Sequence, residues 1–334
     1  MVFKRLLGSL GVGGPSVDTE LDPGAATPGG TVTGRVRLRG GTADFTIEHI
    51  TLELVARVES EQGDEESEGV VVFHQHVVAG GFRLAEDEHR SVPFSFALPW
   101  ETPITELYGQ GLGVSLGVRT ELGVAGARDK GDLDPLAVRP LPAQEAVLEA
   151  LGQLGFGFTS ADLELGRIGG TGQQLPFYQE IELVPAPRYA HLAEEIEVTF
   201  LAGPATLDVV LEADKRGGLF SEGHDTLTRF TVDHDDAGRL DWNTEVDAWI
   251  GHLLQHRTTH APHEPTGGAL FARSTHGTHE GHAHHSAPGT GTTIAAGAAG
   301  LAVGVAGGLV AAEVVDEVGD FFEGDEDEAE AEEE

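Results

Sequence analysis

The fold is decided by residues 154–183, which read LGFGFTSADLELGRIGGTGQQLPFYQEIEL. Large apolar side chains in the first half alternate with small or polar ones, at Phe156, Phe158, Leu163 and Leu165. This period of two is typical of a strand with one buried face. The glycines of 166–172 interrupt the pattern, and a second alternating segment follows Pro176. The stretch therefore predicts two strands joined by a glycine-rich turn.

Comparable segments recur along the chain without a long helix between them. Alternation predicts strands over 17–21, 31–39, 46–58, 70–78, 92–98 and 113–122. The proline-rich stretch 129–142 breaks the pattern and is the predicted domain boundary. A short helix is predicted over 143–154, and further strands follow over 156–234. An amphipathic helix begins near Trp242, and we expect its tryptophans to pack it against these strands. Short strands at this spacing predict an all-β protein of two antiparallel sandwiches.

Other segments, taken with 154–183, carry a family resemblance. They are FKRLLGSLGVG at 3–13, VDT at 17–19, DKGDLDP at 129–135, RPLP at 139–142 and VLEADKRGGLF at 210–220. In this order they closely resemble the sporulation-control Spo0M family, and the resemblance covers about residues 1–249. It implies an arrestin-like pair of β-sandwiches that regulates or scaffolds, with no known catalytic residues.

The composition narrows the classes of partner. Acidic residues number 56 and basic residues 20, of which three are lysines, and the net charge is −36. A field of this sign repels nucleic acid and anionic lipid, so we expect no nucleic-acid partner. Such a surface is typical of a high-salt cytoplasm, where charge repulsion is screened, with an Arg- and Ala-rich bacterium of high GC content as the alternative. Whether the source organism forms spores stays open.

The cysteine content and the N-terminal sequence limit the chemistry that the protein can perform and the compartment in which we expect it. The chain has no cysteine, which excludes disulfides, thiol nucleophiles and cysteine-ligated zinc. The beginning of the sequence lacks the long apolar core of a signal peptide, so we expect a cytoplasmic protein. The predicted segments are an N-terminal sandwich (1–128), a linker, short helix, second sandwich and amphipathic helix (129–256), a His/Gly-rich linker (257–291), a Gly/Ala-rich segment (292–312) and an acidic disordered tail (313–334).

Three short motifs in the sandwiches suggest chemistry, and for each we expect a structural role instead. GVSLG at 113–117 matches the G-x-S-x-G nucleophile elbow, but the alternation continues as a strand where the elbow requires a helix. His74 and His76 lie on one strand face, where we expect them to face solvent. DHDD at 233–236 offers oxygen and nitrogen ligands, and we expect a surface turn there.

A histidine tract is the strongest candidate for metal binding. Its crowded part consists of His276, His279, His282, His284 and His285. Neutral imidazole binds zinc, nickel and copper, and a flexible tract can wrap such an ion. The alternative is a polar linker without physiological metal, in which binding is adventitious. We expect no other cofactor.

The segment 292–312 has 21 residues and no charge. Small residues recur at every fourth position, at Ala296, Gly300, Gly304, Gly308 and Ala312. On a helix they form one stripe that lets a second helix approach closely, and the length just spans a bilayer. Six larger apolar residues contribute about −2 to −4 kcal/mol of insertion free energy, which is marginal. A membrane helix and a soluble, self-associating or disordered segment both remain open, and with them membrane association and homo-oligomerisation.

The function expected from these features is non-catalytic. A cytoplasmic regulatory or scaffold protein of the sporulation-control type would bind protein partners through a sandwich edge or the concave surface between the sandwiches. One alternative is a tail-anchored membrane organiser that oligomerises through the glycine stripe. A further alternative is a metal-binding protein that uses the histidine tract. An enzyme is the poorest interpretation, because no nucleophile–base pair or phosphate-binding loop is visible in the sequence.

The histidine tract gives a first prediction. Deleting residues 275–285 should abolish most of the retention on an immobilised nickel column. The melting temperature of the protein should not change, because the tract lies outside both predicted cores and metal there need not couple to folding. A large fall in melting temperature on adding a chelator would instead mean that the metal is structural.

Overall fold

The computed structural model describes residues 13–62, 65–127, 129–214 and 228–259. The strands within these ranges are β1 (Ser16–Leu21), β2 (Thr31–Arg39), β3 (Phe45–Gln62), β4 (Glu65–Leu84), β5 (His89–Ala97), β6 (Glu106–Leu107), β7 (Gln110–Gly111), β8 (Leu116–Val124), β9 (Lys130–Pro135), β10 (Gly157–Leu165), β11 (Phe177–Val184), β12 (Glu195–Ala202), β13 (Thr206–Asp214) and β14 (Thr228–Asp233). The helices are α1 (Pro142–Leu154) and α2 (Trp242–Thr259), with a 3-10 turn at His234–Asp236.

The first half of the chain forms a sandwich of two sheets. One sheet has the strand order β1-β2-β5, and exposed and buried residues alternate along the whole of β2. Val36 and Leu38 on its buried side share one apolar core with Ile50 and Leu52 of β3. Ile50 and Leu52 are two positions apart in β3, so both side chains lie on the face of that strand that packs against the first sheet.

Strand β3 connects the two halves of the molecule. It is 18 residues long, and it pairs with β4 on one side and with β8 on the other. Further along β3, past its last pair with β8, Glu59 forms a parallel bridge to Glu164 of β10. The strands described here therefore form a nine-stranded sheet, β14-β13-β12-β11-β10-β3-β8-β9, with β4 paired to β3.

The second half is an antiparallel sheet of β10 to β14 against which α2 packs. Val246, Trp249 and Ile250 of α2 are buried in the same core as the inward residues of these strands. The Trp249 ring stacks on Phe230 of β14 at a centroid distance of 4.8 Å, and Trp242 meets Trp249 edge-on at 6.2 Å. These contacts confirm the expectation that the tryptophans seal the helix against the second set of strands.

The segment expected to be a linker contributes a strand. Lys130–Pro135 is β9, which pairs with β8 and extends the first half of the long sheet. Pro135 lies at the end of β9, on the edge of the sheet, where proline is tolerated because no further strand needs its missing N–H. The proline-rich composition of 129–142 therefore concealed an edge strand. The division into separately folding domains stays a prediction.

A buried glutamine joins the halves. Gln179 of β11 is 8% exposed, and its Nε2 donates to the carbonyl oxygen of Ile104 at 2.8 Å. Its Oε1 accepts from the N–H of Ile104 at 3.0 Å. Ile104 is fully buried, so its peptide group needs both partners within the protein. The side-chain amide of Gln179 thus provides the donor and the acceptor that a neighbouring strand would provide.

Two further contacts support this junction. Glu101 accepts hydrogen bonds from the N–H groups of Gln174 and Leu175 at 2.7 and 2.8 Å. The ring of Trp100 stacks on His234 at a centroid distance of 5.7 Å. Hydrogen bonds and ring contacts together hold the loop that follows β5 against the second half of the molecule.

Gln179→Leu should destabilise the protein, because the buried N–H and C=O of Ile104 lose their partners. Each unsatisfied buried group costs roughly 1–3 kcal/mol, so we expect a loss of about 2–5 kcal/mol in chemical denaturation. Gln174→Leu is the matched control, since this exposed residue bonds to Glu101 only through its backbone, and its change should be below about 0.5 kcal/mol. Equal effects of the two substitutions would contradict the role given to Gln179.

Strand β9 carries a carboxyl group whose charge opposes folding. Asp134 Oδ2 is buried and has no hydrogen-bond partner among the described residues. Burial first, and then the negative charges of Asp132, Asp18 and Glu20, raise the pKa of Asp134 to about 7. Asp132 differs, because its Oδ2 accepts the N–H of Thr19 in β1 at 2.6 Å and so links the two sheets.

Asp134→Asn should raise the melting temperature at pH 8 and have little effect near pH 4. The folded-state pKa of about 7 lies above the ordinary value of 3.8, so the folded protein binds the proton more tightly. The free energy of unfolding therefore falls as the pH rises from about 4 to 7, and asparagine removes that loss. Asp233→Asn, at an exposed aspartate, is the control. An advantage of Asp134→Asn that is the same at both pH values would contradict this titration.

Candidate functional site

A groove lies where the two halves meet. The hairpin of β6 and β7 forms one wall, α1 forms another, and β10 and β11 form the floor, around a cavity of about 660 Å³. Apolar side chains cover most of its lining, at Leu107, Leu112, Leu148, Phe156, Ile181 and Leu183. Cavities of this size and composition are typical of binding sites for small ligands or short peptide segments.

The ends of α1 explain how the sequence builds the long wall. Pro142 occupies the first helical turn, and Gln144 Oε1 accepts the N–H of Leu141 at 2.8 Å. At the other end Gly155 has a φ of 96°, a left-handed conformation that glycine adopts without strain. The chain then turns directly into β10, so Phe156 and Phe158 follow the helix and lie beside it.

The opposite wall is a tight hairpin with an exposed aromatic at its tip. Tyr108 and Gly109 have φ values of 55° and 77°, as in the type I′ turn that connects two twisted strands. A tyrosine in this conformation is strained, since asparagine, aspartate and glycine are favoured there. The Tyr108 side chain is nevertheless 65% exposed and borders the groove. Strain of this kind is common where a side chain must be presented to a ligand.

The rim of the groove combines exposed aromatic area with negative charge. Phe158 is 50% exposed and lines the same groove as Tyr108, and large exposed apolar groups around a cavity indicate an interaction surface. Glu145 and Glu149 line the same groove from α1. Burial, followed by the charges of Glu149 and Glu145, raises the pKa of the Tyr108 phenol. The groove can therefore take up apolar side chains flanked by positive charge.

The serine of the G-x-S-x-G motif is followed by a strand, as we expected for a residue with a structural role. Ser115 directly precedes β8, and a strand rather than a helix follows it. An elbow exposes its serine at a strand-to-helix turn, and this part of the chain has no such turn.

The two histidines of β4 do not face solvent, which corrects the expectation from sequence. His74 and His76 are half-buried, and their rings lie 5.8 and 5.3 Å from the ring of Phe96 in β5. They pair in register with Leu54 and Leu52, so they share the face that forms the core. Burial first, and then the neighbouring His76, lower the pKa of His74. Both histidines therefore help to close the open side of the sandwich.

The residues 233–236 form the 3-10 turn and the end of β14, as expected for a turn. His234 Nε2 lies 2.8 Å from the carbonyl oxygen of Gly203, and its ring stacks on Trp100. This histidine contributes to the junction of the two halves.

The remaining sequence candidates lie outside the described residues. They are the metal-ligand candidates His276, His279, His282, His284 and His285, and the stripe of Ala296, Gly300, Gly304, Gly308 and Ala312. Within the described ranges, no helix has the length and apolar character needed to span a bilayer. Metal binding, oligomerisation and membrane association through these segments stay predictions.

Sequence reasoning missed a cluster of carboxylates on the second sheet. Asp162 and Glu164 of β10 lie next to Glu180 of β11, with carboxylate oxygens within 4.8 Å of one another. The available signal was the alternation itself, since DLEL and QEIE place acids at every second position, on the face opposite the apolar residues. Only the strand register shows that these acids meet.

Comparisons with known proteins agree with this architecture. A family model described as SpoOM protein matches residues 3–217. The sporulation-control protein spo0M of Bacillus subtilis (strain 168) is 37% identical over 215 residues, which are 64% of this chain and 81% of that protein. The crystal structure of Spo0M from Bacillus subtilis is 32% identical, has a TM-score of 0.64, and covers 73% of this chain and 99% of its own.

These matches confirm the all-β, arrestin-like fold that the resemblance implied. They span both halves of the long sheet and the blocks at 3–13, 129–142 and 210–217 on which the resemblance depended. The chain therefore belongs to the Spo0M family of sporulation-control proteins.

Proposed function

We propose that this protein is a non-catalytic, cytoplasmic regulator or scaffold that binds a protein partner in the groove between its halves. Family membership supports a regulatory role. The observation that carries the proposal is the pair of exposed aromatics, Tyr108 and Phe158, beside an apolar cavity of about 660 Å³. Aromatic side chains in a concave site are the usual anchors of protein–protein contacts.

The non-catalytic character rests on what the candidate residues do. Ser115 precedes a strand, and His74, His76 and His234 pack against aromatic rings. In this proposal these four residues have structural rather than catalytic roles. We also propose that the protein needs no cofactor.

The dimensions and charge of the groove favour a particular kind of partner. The cavity is too small for a folded domain and accommodates a few side chains of a helix or an extended segment. Glu145 and Glu149 lie at its side and the chain carries a net charge of −36. A segment with apolar residues flanked by Lys or Arg is therefore complementary, because opposite charges steer association and apolar burial holds the complex.

The test compares variants of the exposed aromatics. Tyr108→Asn combined with Phe158→Ser removes both anchors, and asparagine tolerates the positive φ at position 108, so the hairpin should keep its shape. Loss of two anchor residues should weaken binding by roughly 30-fold or more. The measurement is quantitative capture of cross-linked partners from native cells, followed by affinity measurement with the purified partner.

Val77→Ser is the matched control, since Val77 is 67% exposed on β4 and does not line the groove. The same partner should be captured by the unmodified protein and by this control, and lost with the double variant. Retention of that partner by the double variant, or equal loss with Val77→Ser, would contradict binding in the groove.

A further inference from the structure

The N-terminal segment, residues 1–12, lies outside the described part of the chain and reads MVFKRLLGSLGV. Four of its apolar residues have the spacing i, i+3, i+4 and i+7, by which a helical ligand presents anchor side chains to a groove. They are Phe3, Leu6, Leu7 and Leu10. Lys4 and Arg5 lie among these anchors. The segment therefore has the composition that suits the groove between the halves, apolar residues beside positive charge.

The positive charge of this segment contrasts with the rest of the chain. No acidic residue occurs before Asp18, so the first 17 residues carry two positive side chains in a chain whose net charge is −36. The sequence has one other adjacent pair of Lys or Arg, Lys215-Arg216, and that pair directly follows Asp214. An acidic groove therefore attracts the N-terminal segment more than other parts of the same chain.

The groove is negative on the side of α1. Glu145 and Glu149 lie about one helical turn apart, and both line the cavity, which no Lys or Arg of the described ranges does. Gly152 and Gln153 bring the C-terminal end of α1 to the same cavity. This end carries the negative pole of the helix dipole, and the last turn has no basic residue to offset it. A cationic side chain at the rim therefore gains from two sources of negative potential.

The attachment point of this segment and the groove lie at opposite ends of the first sheet. The carbonyl oxygen of Gly13 accepts the N–H of Thr42 at 2.9 Å, just past the last residue of β2. Near the first residue of β2, Ala26 forms a bridge to Val138, whose carbonyl oxygen accepts the N–H of Thr105 at 2.8 Å. Thr105 leads directly into β6 and β7, the hairpin wall of the groove. The length of β2 therefore separates Gly13 from the groove.

This separation is greater than the reach of the anchors. A helix over residues 3–10 would be about 12 Å long, and the three residues from Leu10 to Gly13 add at most about 11 Å when extended. The nine residues of β2 alone span roughly 30 Å. The anchors thus fall short of the groove of their own molecule, and the groove that they can fill belongs to a second copy.

We propose that residues 3–10 of one copy bind in the groove of a second copy, with their anchors against Tyr108 and Phe158 and their positive charge beside Glu145 and Glu149. The inference rests on the proposed function, because it takes the groove to be a binding site for a protein segment. Since opposite ends of the molecule take part, two copies side by side in opposite directions exchange their segments, and the association closes as a dimer. An external partner of the same chemistry competes with the segment, so partner binding weakens as the protein concentration rises.

A labelled peptide with the sequence of residues 1–12 tests the contact on the full-length protein by fluorescence anisotropy. The protein carries Leu6→Ser and Leu7→Ser, so that its own segment does not compete for the groove. The peptide should bind this variant, and adding Tyr108→Asn and Phe158→Ser should weaken binding at least 10-fold, because both exposed aromatics of the groove are lost. A peptide with the same two serines should also bind at least 10-fold more weakly. Absence of peptide binding would overturn the proposal.

Val77→Ser, added to the Leu6→Ser and Leu7→Ser protein in place of the groove substitutions, is the matched control. Val77 is exposed on β4 and does not line the groove, so the affinity for the peptide should not change. An equal loss of affinity with this control would show that the peptide binds apolar surface without selectivity, and it would overturn the proposal.

Sedimentation of the intact proteins gives a second measurement. The variant with Leu6→Ser and Leu7→Ser and the variant with Tyr108→Asn and Phe158→Ser should each lose the self-association of the unmodified protein. A mixture of the two should form a heterodimer, because one variant keeps the groove and the other keeps the segment. Association that is unchanged in both variants, or a mixture in which no heterodimer forms, would overturn the proposal.

The outcome is distinguishable from failure of the proposed function. If a cellular partner is lost with Tyr108→Asn and Phe158→Ser while the peptide does not bind, the proposed function stands and this inference fails. If the peptide binds in the groove and no cellular partner depends on it, this inference stands and the groove serves self-association alone.

Discussion

The peptide group of Ile104 is the constraint on which the junction of the two halves depends. It is fully buried, and both of its hydrogen bonds go to the side chain of Gln179. A side-chain amide presents an N–H donor and a carbonyl acceptor on one edge, as a residue of a paired strand does, so a single residue can replace a neighbouring strand. This pairing places the segment that leads into β6 and β7 at a fixed distance from β11. The groove exists because its hairpin wall and its floor are held together in this way.

Strand β11 serves both faces of the second sheet. Gln179 points to the junction and Glu180 to the outward face, because successive side chains on a strand point in opposite directions. A shift of register by one residue would bury the carboxylate in the junction and expose the amide. The eight paired positions between β10 and β11, with one irregularity between Phe158 and Ser160, therefore determine the groove and the carboxylate cluster together.

Alternation of apolar residues predicted most strands, and apolar residues at helical spacing predicted both helices, since burial of one face is a local property of the sequence. It failed for β9, where acids and Pro135 conceal an edge strand that is recognisable only by its pairing with β8. It also gave the wrong face for His74, because the register shifts between β3 and β4 decide which side chains turn inward. The groove could not be predicted at all, because Tyr108 and Phe158 line one cavity only through the packing of segments that are distant in sequence.

In the proposed complex, the charge of the chain sets how binding in the groove depends on the salt concentration of the cell. At ordinary ionic strength the Debye length is about 8 Å, so Glu145 and Glu149 would attract the proposed cationic segment before contact. In molar salt it is about 3 Å, and steering of this kind is largely lost. Burial of apolar surface by Tyr108 and Phe158 persists in salt, because it does not depend on charge. A protein adapted to concentrated salt therefore needs its exposed aromatics more than its acids for binding. The strained tyrosine at the tip of the hairpin is consistent with that requirement.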